Sequence, residues 1–442
     1  MYPKREATAM YISDNFKVNS CGHLEIGGCD TTTLAKEYKT PLYVLDEQRV
    51  RTAMRAYKNA IDKYYGGRGL VLYASKALCA GYIYKIVSEE GLGADVVSGG
   101  EIYTAIKAGF DPSKIYFHGN NKSADEIEMA VENKIGVFVA DSFLELEMLS
   151  DAAKRHGTTA NVMLRIKPGV EAHTHEFIKT GQIDSKFGFA IENGEAMQAA
   201  KTAASLDGVR LMGVHCHIGS QIFDLEPFTL AAKIMMDFCA EIKAETGVEI
   251  EQLNLGGGFG ISYTDEDEPI EYGKYIEAVS ETLKKECAEK GLSLPFILME
   301  PGRSIVGDAG ATLYTVGNIK NIEGIRKYVA VDGGMGDNPR YILYGAKHDG
   351  VIANRAAETE LEKVTVCGKC CESGDVIMEN VMLQKAQPGD ILAVMATGAY
   401  NYSMASNYNR IPRPPVIAVK DGKSKVIVKR ETYEDIIKND IF

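Results

Sequence analysis

A chain of 442 residues with 45% hydrophobic and 25% charged side chains can bury large cores, leaves no room for long disorder, and is long enough for two domains. Its net charge of −12 argues against nucleic acid or an anionic membrane as partner, so an anion would have to be bound by local arginines, backbone amides or helix N-termini. The nine cysteines are scattered apart from Cys367, Cys370 and Cys371, which fits reduced thiols in a cytoplasmic protein rather than a disulfide framework.

The opening residues Met1, Tyr2, Pro3, Lys4, Arg5 and Glu6 lack a basic region followed by an apolar run, so neither export nor membrane insertion is expected. The segment up to Tyr43, Val44 and Leu45 reads as short strands around a Gly27-Gly28 turn, and is expected to complete a β domain formed later in the chain. From about residue 70, short apolar or β-branched runs alternate with longer amphipathic stretches, as in βα units around a parallel sheet. The runs fall at 70–75, 94–98, 114–118, 136–140, 161–166, 211–218, 252–255 and 296–299. Eight is the number that closes a (β/α) barrel. Beyond residue 310 the chain changes to β-like runs punctuated by Gly and Pro, including 328–332, 364–367, 391–394 and 416–419. The expected fold is therefore an eight-stranded α/β TIM-like barrel over 46–310, with a mostly β domain built from 1–45 and 311–442.

The ends of the eight runs carry Lys76, Asp95, Ser98, His118, Asp141, Arg165, His217, Ser220, Glu300 and Arg303, and strand C-termini of a barrel converge on the face where active sites sit. Lys76 ends the first run, where a desolvated amine could form a Schiff base, although most lysines are solvated surface residues. In the stretch His215-Cys216-His217, alternation sends both histidines to one side; either both are satisfied interior residues, or one lies against a cofactor ring while Ser220 touches its phosphate. The seventh loop, Gly256-Gly257-Gly258-Phe259-Gly260, stands where barrels bind phosphate, and backbone N–H groups approach an anion only where no Cβ intervenes. Glu300 could keep a pyridine nitrogen protonated, or form a salt bridge with Arg303. An aldehyde cofactor with a phosphate handle needs the lysine and the glycine loop together, which suggests pyridoxal 5′-phosphate. No metal is expected: Cys367 and Cys370 have the spacing of half a zinc site, no second pair completes it, and no third ligand to His215 and His217 is evident.

Successive motifs then carry a resemblance. Tyr73-Ala74-Ser75-Lys76-Ala77, Gly93-Ala94-Asp95 through Ser98-Gly99-Gly100-Glu101, His217-Ile218-Gly219-Ser220-Gln221, the glycine loop and Glu300-Pro301-Gly302-Arg303 are similar, in order, to the motifs of fold-type III pyridoxal-phosphate decarboxylases. With Asp332-Gly333-Gly334-Met335, Asn338-Pro339-Arg340, Tyr344-Gly345-Ala346, Cys371-Glu372-Ser373 and Thr397-Gly398-Ala399-Tyr400, the resemblance covers nearly the whole chain and narrows to the diaminopimelate decarboxylases. It implies decarboxylation of meso-2,6-diaminopimelate to L-lysine and CO2, the last step of lysine biosynthesis. It implies Lys76, His217 and Cys371 as catalytic residues, with Lys76 holding the cofactor, His217 stacked on its ring and Glu300 paired with its nitrogen. Ser220, Gly256, Gly257, Gly258 and Gly302 would hold the phosphate. Asp95, Arg303 and Tyr400 would also contact the cofactor, while Glu101 and Arg165 align with polar residues near it. Arg303, Arg340, Tyr344 and Tyr400 would bind the substrate, and Cys371 and Glu372 would come from the second subunit of a homodimer with shared active sites.

Other enzymes share parts of this logic. A pyridoxal-phosphate racemase has little use for two arginines on a distant carboxylate, and an ornithine or arginine decarboxylase needs an acidic pocket for a distal cation, towards which Glu372 alone leans. A cofactor-free Schiff-base aldolase and a catalytically silent cofactor-binding protein complete the alternatives.

Overall fold

The computed structural model describes residues 16–170 and 185–442; the opening residues Met1 to Glu6, read above for export signals, lie outside them. Among the described residues no helix is long and apolar enough to cross a membrane. They form two compact units, one of Thr52–Gly260 with Pro269–Gly302, the other of residues up to Arg51 with Ile261–Glu268 and Arg303–Phe442.

The first unit is a closed parallel barrel. Its strands are Gly69–Ala74, Gly93–Val96, Ile115–Phe117, Val137–Ala140, Ala160–Lys167, Val209–His215, Gln252–Asn254 and Phe296–Met299. Each pairs in parallel with its neighbour, and the eighth returns to the first through Ile297 opposite Gly69. All eight expected strands are present. Several are shorter at their C-termini than the apolar runs, because the last residues of those runs already belong to the mouth. One buried cluster joins Leu72, Tyr116, Val137, Val139, Met163, Met212 and Leu298 from six strands, the packed interior a barrel of this size requires. Large residues there depend on small neighbours: a Cβ on Gly93 would stand 2.6 Å from Leu72 Cδ2, and one on Gly213 2.7 Å from Met163 Cε.

Serines set the helix starts that follow the second, third and fourth strands. Ser98, Ser123 and Ser142 each accept a backbone N–H at the start of helices Gly99–Lys107, Ala124–Glu132 and Phe143–Arg155, a contribution of about 1 kcal/mol apiece. The loop after the third strand is further tied by Lys122, whose buried ammonium donates to Glu145 Oε1 at 2.6 Å, Val139 O at 2.8 Å and Gly119 O at 3.0 Å. Lys122→Met strands a buried carboxylate and is expected to destabilise the barrel by about 3–5 kcal/mol, read as a lower denaturant midpoint with an unchanged slope.

The second unit is mostly β. Its long strand Gly310–Ile322 pairs antiparallel with Leu42–Asp46, Arg326–Val331 and Ile391–Met395. Leu42–Asp46 also pairs in parallel with Val416–Lys420, so the N-terminal strand is central to this sheet. Leu361–Cys367 and Val376–Gln384 extend the sheet on its other side. Two apolar clusters pack against it, one around Leu24, Ile26, Val44, Leu313 and Ile417, the other around Tyr314, Val329, Val366, Ile377 and Leu392.

Candidate active site

At the barrel mouth the strand ends place Lys76, Asp95, His118, Arg165, His215, Asn254 and Glu300 on one unit. Lys76 lies in the one-turn 3-10 segment Ser75–Ala77 directly after the first strand. It is exposed, while both its neighbours are buried. The hydroxyl of Tyr84 donates to Ser75 Oγ at 2.8 Å and fixes this turn. Lys76 thus stands in the open mouth rather than in a desolvated pocket, and its charge reaches Asp95, Glu101 and His217.

Glu300, the residue after the eighth strand, is buried among two hydrogen-bond donors and a further histidine nitrogen. Asn254 Nδ2 donates to Oε1 at 2.6 Å, His118 Nε2 lies 2.8 Å from Oε1, and His215 Nε2 lies 3.1 Å from Oε2. Burial alone would raise this acid, but the two histidines outweigh it and hold the carboxyl well below its ordinary range. Burial pushes His215 down to about 4, so it acts as a neutral imidazole donating from Nε2. The rings of His118 and His215 meet edge to face at 4.8 Å, and His118 Nε2 is 3.9 Å from Asp95 Oδ1. Asp95 is raised by burial, opposed chiefly by His118. Burial likewise raises Glu101 to about 7 although its Oε2 accepts the Val97 N–H at 2.7 Å. No third ligand to His215 was evident from the sequence, yet the structure brings ligand atoms of His118, His215 and Glu300 within 4.8 Å of one another. Of these, His215 Nε2 hydrogen-bonds Glu300 at 3.1 Å, while His118 Nε2 stands 2.8 Å from Glu300 at ion-pair distance without hydrogen-bond geometry.

The glycine loop leaves no room for side chains. A Cβ on Gly256 (φ +69°) would meet Cys216 O at 2.6 Å, one on Gly257 would meet Glu300 O at 2.2 Å, and one on Gly258 (φ +108°) would meet Gly219 O at 2.5 Å. Gly302 is equally closed by Ala74, whose Cβ would be 2.9 Å away. The segment carrying Ser220 runs beside this loop, since Ile222 N–H donates to Gly258 O at 2.9 Å. The two histidines of the sixth strand divide the roles left open by the sequence: His215 is the buried, satisfied one, whereas His217 is half-buried and its Nδ1 accepts the Gly257 N–H at 3.3 Å. Burial, with Lys76 and Arg165 nearby, keeps His217 well below its ordinary value and therefore neutral. Arg165 lies 3.8 Å from Asp141 and over the Phe187 ring at 4.2 Å.

In the β unit, Arg303 and Arg340 are both buried among tyrosines. The guanidinium of Arg303 lies 4.8 Å from the Tyr400 ring centre and donates to the Tyr263 hydroxyl. That of Arg340 lies 5.6 Å from Tyr263, 5.5 Å from Tyr344 and 5.6 Å from Tyr400. Burial, joined by the like charge of Arg303, lowers Arg340, and its Nε has no hydrogen-bond partner among the described residues. Two buried guanidiniums held against the same tyrosine faces can serve an anion locally within an acidic protein. Tyr400 is held in left-handed backbone (φ 64°) after Gly398, which packs so closely that a Cβ would overlap Val306 O. Cys371 and Glu372 are exposed in the same unit, and Asn409 Oδ1 accepts the Cys371 N–H at 2.8 Å.

Sequence reasoning gave His118 no role and passed over Asn254, Tyr263 and His348. Asn254, a polar residue between Leu253 and Leu255 at the end of the seventh strand, is the one of these that the sequence pattern signals. His348, neutral because burial pushes it down to about 4, stands edge-on to Tyr263 at 5.1 Å.

The family model for the pyridoxal-binding domain of pyridoxal-dependent decarboxylases matches residues 47–307, which defines the class of this barrel. The diaminopimelate decarboxylase of Bacillus subtilis is 50% identical over 432 residues, 98% of both chains, and that of Staphylococcus aureus 48% identical over 427 residues, 96% of this chain and 99% of the other. The crystal structure of the M. jannaschii diaminopimelate decarboxylase with L-lysine superposes with a TM-score of 0.91 at 39% identity, over 98% of this chain and 99% of that one. The chain belongs to the diaminopimelate decarboxylase family of pyridoxal-dependent decarboxylases.

Proposed function

We infer that this chain decarboxylates meso-2,6-diaminopimelate to L-lysine and CO2 with pyridoxal 5′-phosphate, closing lysine biosynthesis. The observation that carries this reading is a strand-end lysine sharing one barrel mouth with a side-chain-free glycine loop and a buried, ionised Glu300. A primary amine, a backbone surface closed to any Cβ and a fixed anion are the donor set that an aldehyde, a phosphate and a pyridine nitrogen require, so the residues fit the cofactor.

Lys76 would hold the aldehyde end, Ser220, Gly256, Gly257, Gly258 and Gly302 the phosphate, and Glu300 the ring nitrogen. Neutral His217, oriented by the Gly257 N–H, would lie against the ring, with Asp95, Arg303 and Tyr400 as further contacts. When bound, the cofactor supplies an electron sink for the pair left as CO2 departs. Arg303 and Arg340, supported by Tyr344 and Tyr400, would grip the substrate's distal carboxylate and so fix which carbon reacts. A substrate with only a distal cation, such as ornithine, would meet two buried guanidiniums and be repelled. Release of CO2 and L-lysine from meso-diaminopimelate, with ornithine and lysine poor substrates, is the expected assay result. A preference for ornithine would overturn the assignment.

The sites are shared in a cytoplasmic homodimer on this reading, Cys371 and Glu372 of the partner subunit completing each Lys76 site. The sequence resemblance and the exposure of both residues in this unit support it. Co-expressing Lys76→Ala with Cys371→Ala is expected to restore about a quarter of parental activity, because heterodimers are half of a random mixture and keep one intact site of two. No recovery in a mixture containing heterodimers would refute sharing.

A further inference from the structure

Glu300 is supported more completely than a ring-nitrogen partner needs merely to be present. An ionised carboxylate offers about four acceptor sites. Two are occupied by hydrogen bonds from different strand ends, Oε1 taking Asn254 Nδ2 at 2.6 Å and Oε2 taking His215 Nε2 at 3.1 Å, while His118 Nε2 stands 2.8 Å from Oε1 at ion-pair distance without hydrogen-bond geometry. All three supporting residues are buried, and their roles as ordinary core polar groups are poorly explained otherwise. His215 Nδ1 has no hydrogen-bond partner among the described residues, so its contact with Glu300 is its polar purpose. Asn254 is bound at both ends, donating to Glu300 and accepting the Gly256 N–H at 2.9 Å, which couples the carboxylate to the first residue of the glycine loop.

We propose that His118, His215 and Asn254 are positioning residues for the decarboxylation: Asn254 and His215 hydrogen-bond the two oxygens of the Glu300 carboxylate, His118 stands against Oε1 at ion-pair distance, and acceptor capacity is left for a ring N–H of the cofactor. The proposal rests on the reading of Glu300 as the ring-nitrogen partner. Burial by itself favours the neutral acid, and a neutral Glu300 could no longer keep that nitrogen protonated. The donors reverse this preference, which agrees with the lowered acidity range of Glu300. Because Asn254 and His215 end the seventh and sixth strands and His118 directly follows the third, the carboxylate is held from three sides.

The test reconstitutes the full enzyme with pyridoxal phosphate labelled with 15N in the ring, and reads the nitrogen resonance alongside kinetics. The parent is expected at the position of a protonated pyridine nitrogen. His118→Phe and His215→Phe, which keep an aromatic ring and remove the donor, should each move the resonance towards the unprotonated position and lower kcat roughly 10- to 100-fold with little change in KM. His118→Gln, which retains an N–H donor, should move both back towards the parent. In cofactor-free His118→Phe and His215→Phe protein, the infrared band of a protonated carboxyl should appear, assigned by its loss when Glu300→Gln is added. If Glu300→Gln shifts the nitrogen resonance and neither Phe variant does, the positioning role is overturned while the partner reading stands. If Glu300→Gln leaves the resonance unmoved, the partner reading fails and takes the proposal with it.

Discussion

Lys76→Ala is expected to lose turnover by on the order of 10⁴-fold or more while retaining measurable cofactor affinity through the glycine loop. The size of the effect follows from the number of tasks one amine performs. On this assignment it would hold the cofactor covalently between turnovers, and its charge acts on Asp95, Glu101 and His217, groups through which protons would have to move. Glycine contacts such as those of Gly256 and Gly258 are backbone features that the substitution leaves intact. Borohydride reduction of the parent followed by peptide mapping should place the pyridoxyl mass on the peptide containing Lys76. Finding it on another lysine would overturn the assignment of this residue.

Arg340→Ala is expected to lower kcat/KM for meso-diaminopimelate by about 2–4 kcal/mol, roughly 30- to 1000-fold, mainly through a higher KM. In the free protein Arg340 is buried beside Arg303 with rings rather than carboxylates for neighbours, and burial and like charge both work against it. Truncation should therefore leave the melting temperature unchanged or slightly raised, an opposition between stability and activity that a merely structural arginine would not show. Wild-type kinetics in this variant would remove the distal-carboxylate argument.

The barrel was legible because its strands are short apolar runs buried on both faces, a pattern that helices and loops between them do not imitate. The β unit was less so. Gly310–Ile322 begins buried and ends in the exposed stretch around Lys320 and Asn321, so no single period runs through it, and Val376–Gln384 breaks its burial in the middle with Glu379, exposed Asn380 and exposed Met382. Neither was among the runs read from the sequence. At the site, residues with distinctive chemistry on strand ends, Lys76, His217 and Glu300, could be singled out from order alone. The dependence of Glu300 on His118 and Asn254 could not, because those contacts join positions separated by long stretches of chain. Nor does spacing reveal that Tyr263, in the short excursion Ile261–Glu268, packs with Arg303 and Arg340.

That same support of Glu300 bears on the order of events during folding. Its polar neighbours lie at the ends of the third, sixth and seventh strands, and the eighth strand reaches its neighbour on one side only by meeting the first, more than two hundred residues earlier in the chain. Contacts of such long sequence separation form late, because the entropy of closing the intervening loops must be overcome before they contribute. The carboxylate consequently becomes a fixed, buried anion with a set orientation only once the circle of strands is complete. A refolding chain will show helical signal well before it can seat pyridoxal phosphate, and cofactor uptake serves as a clock for barrel closure.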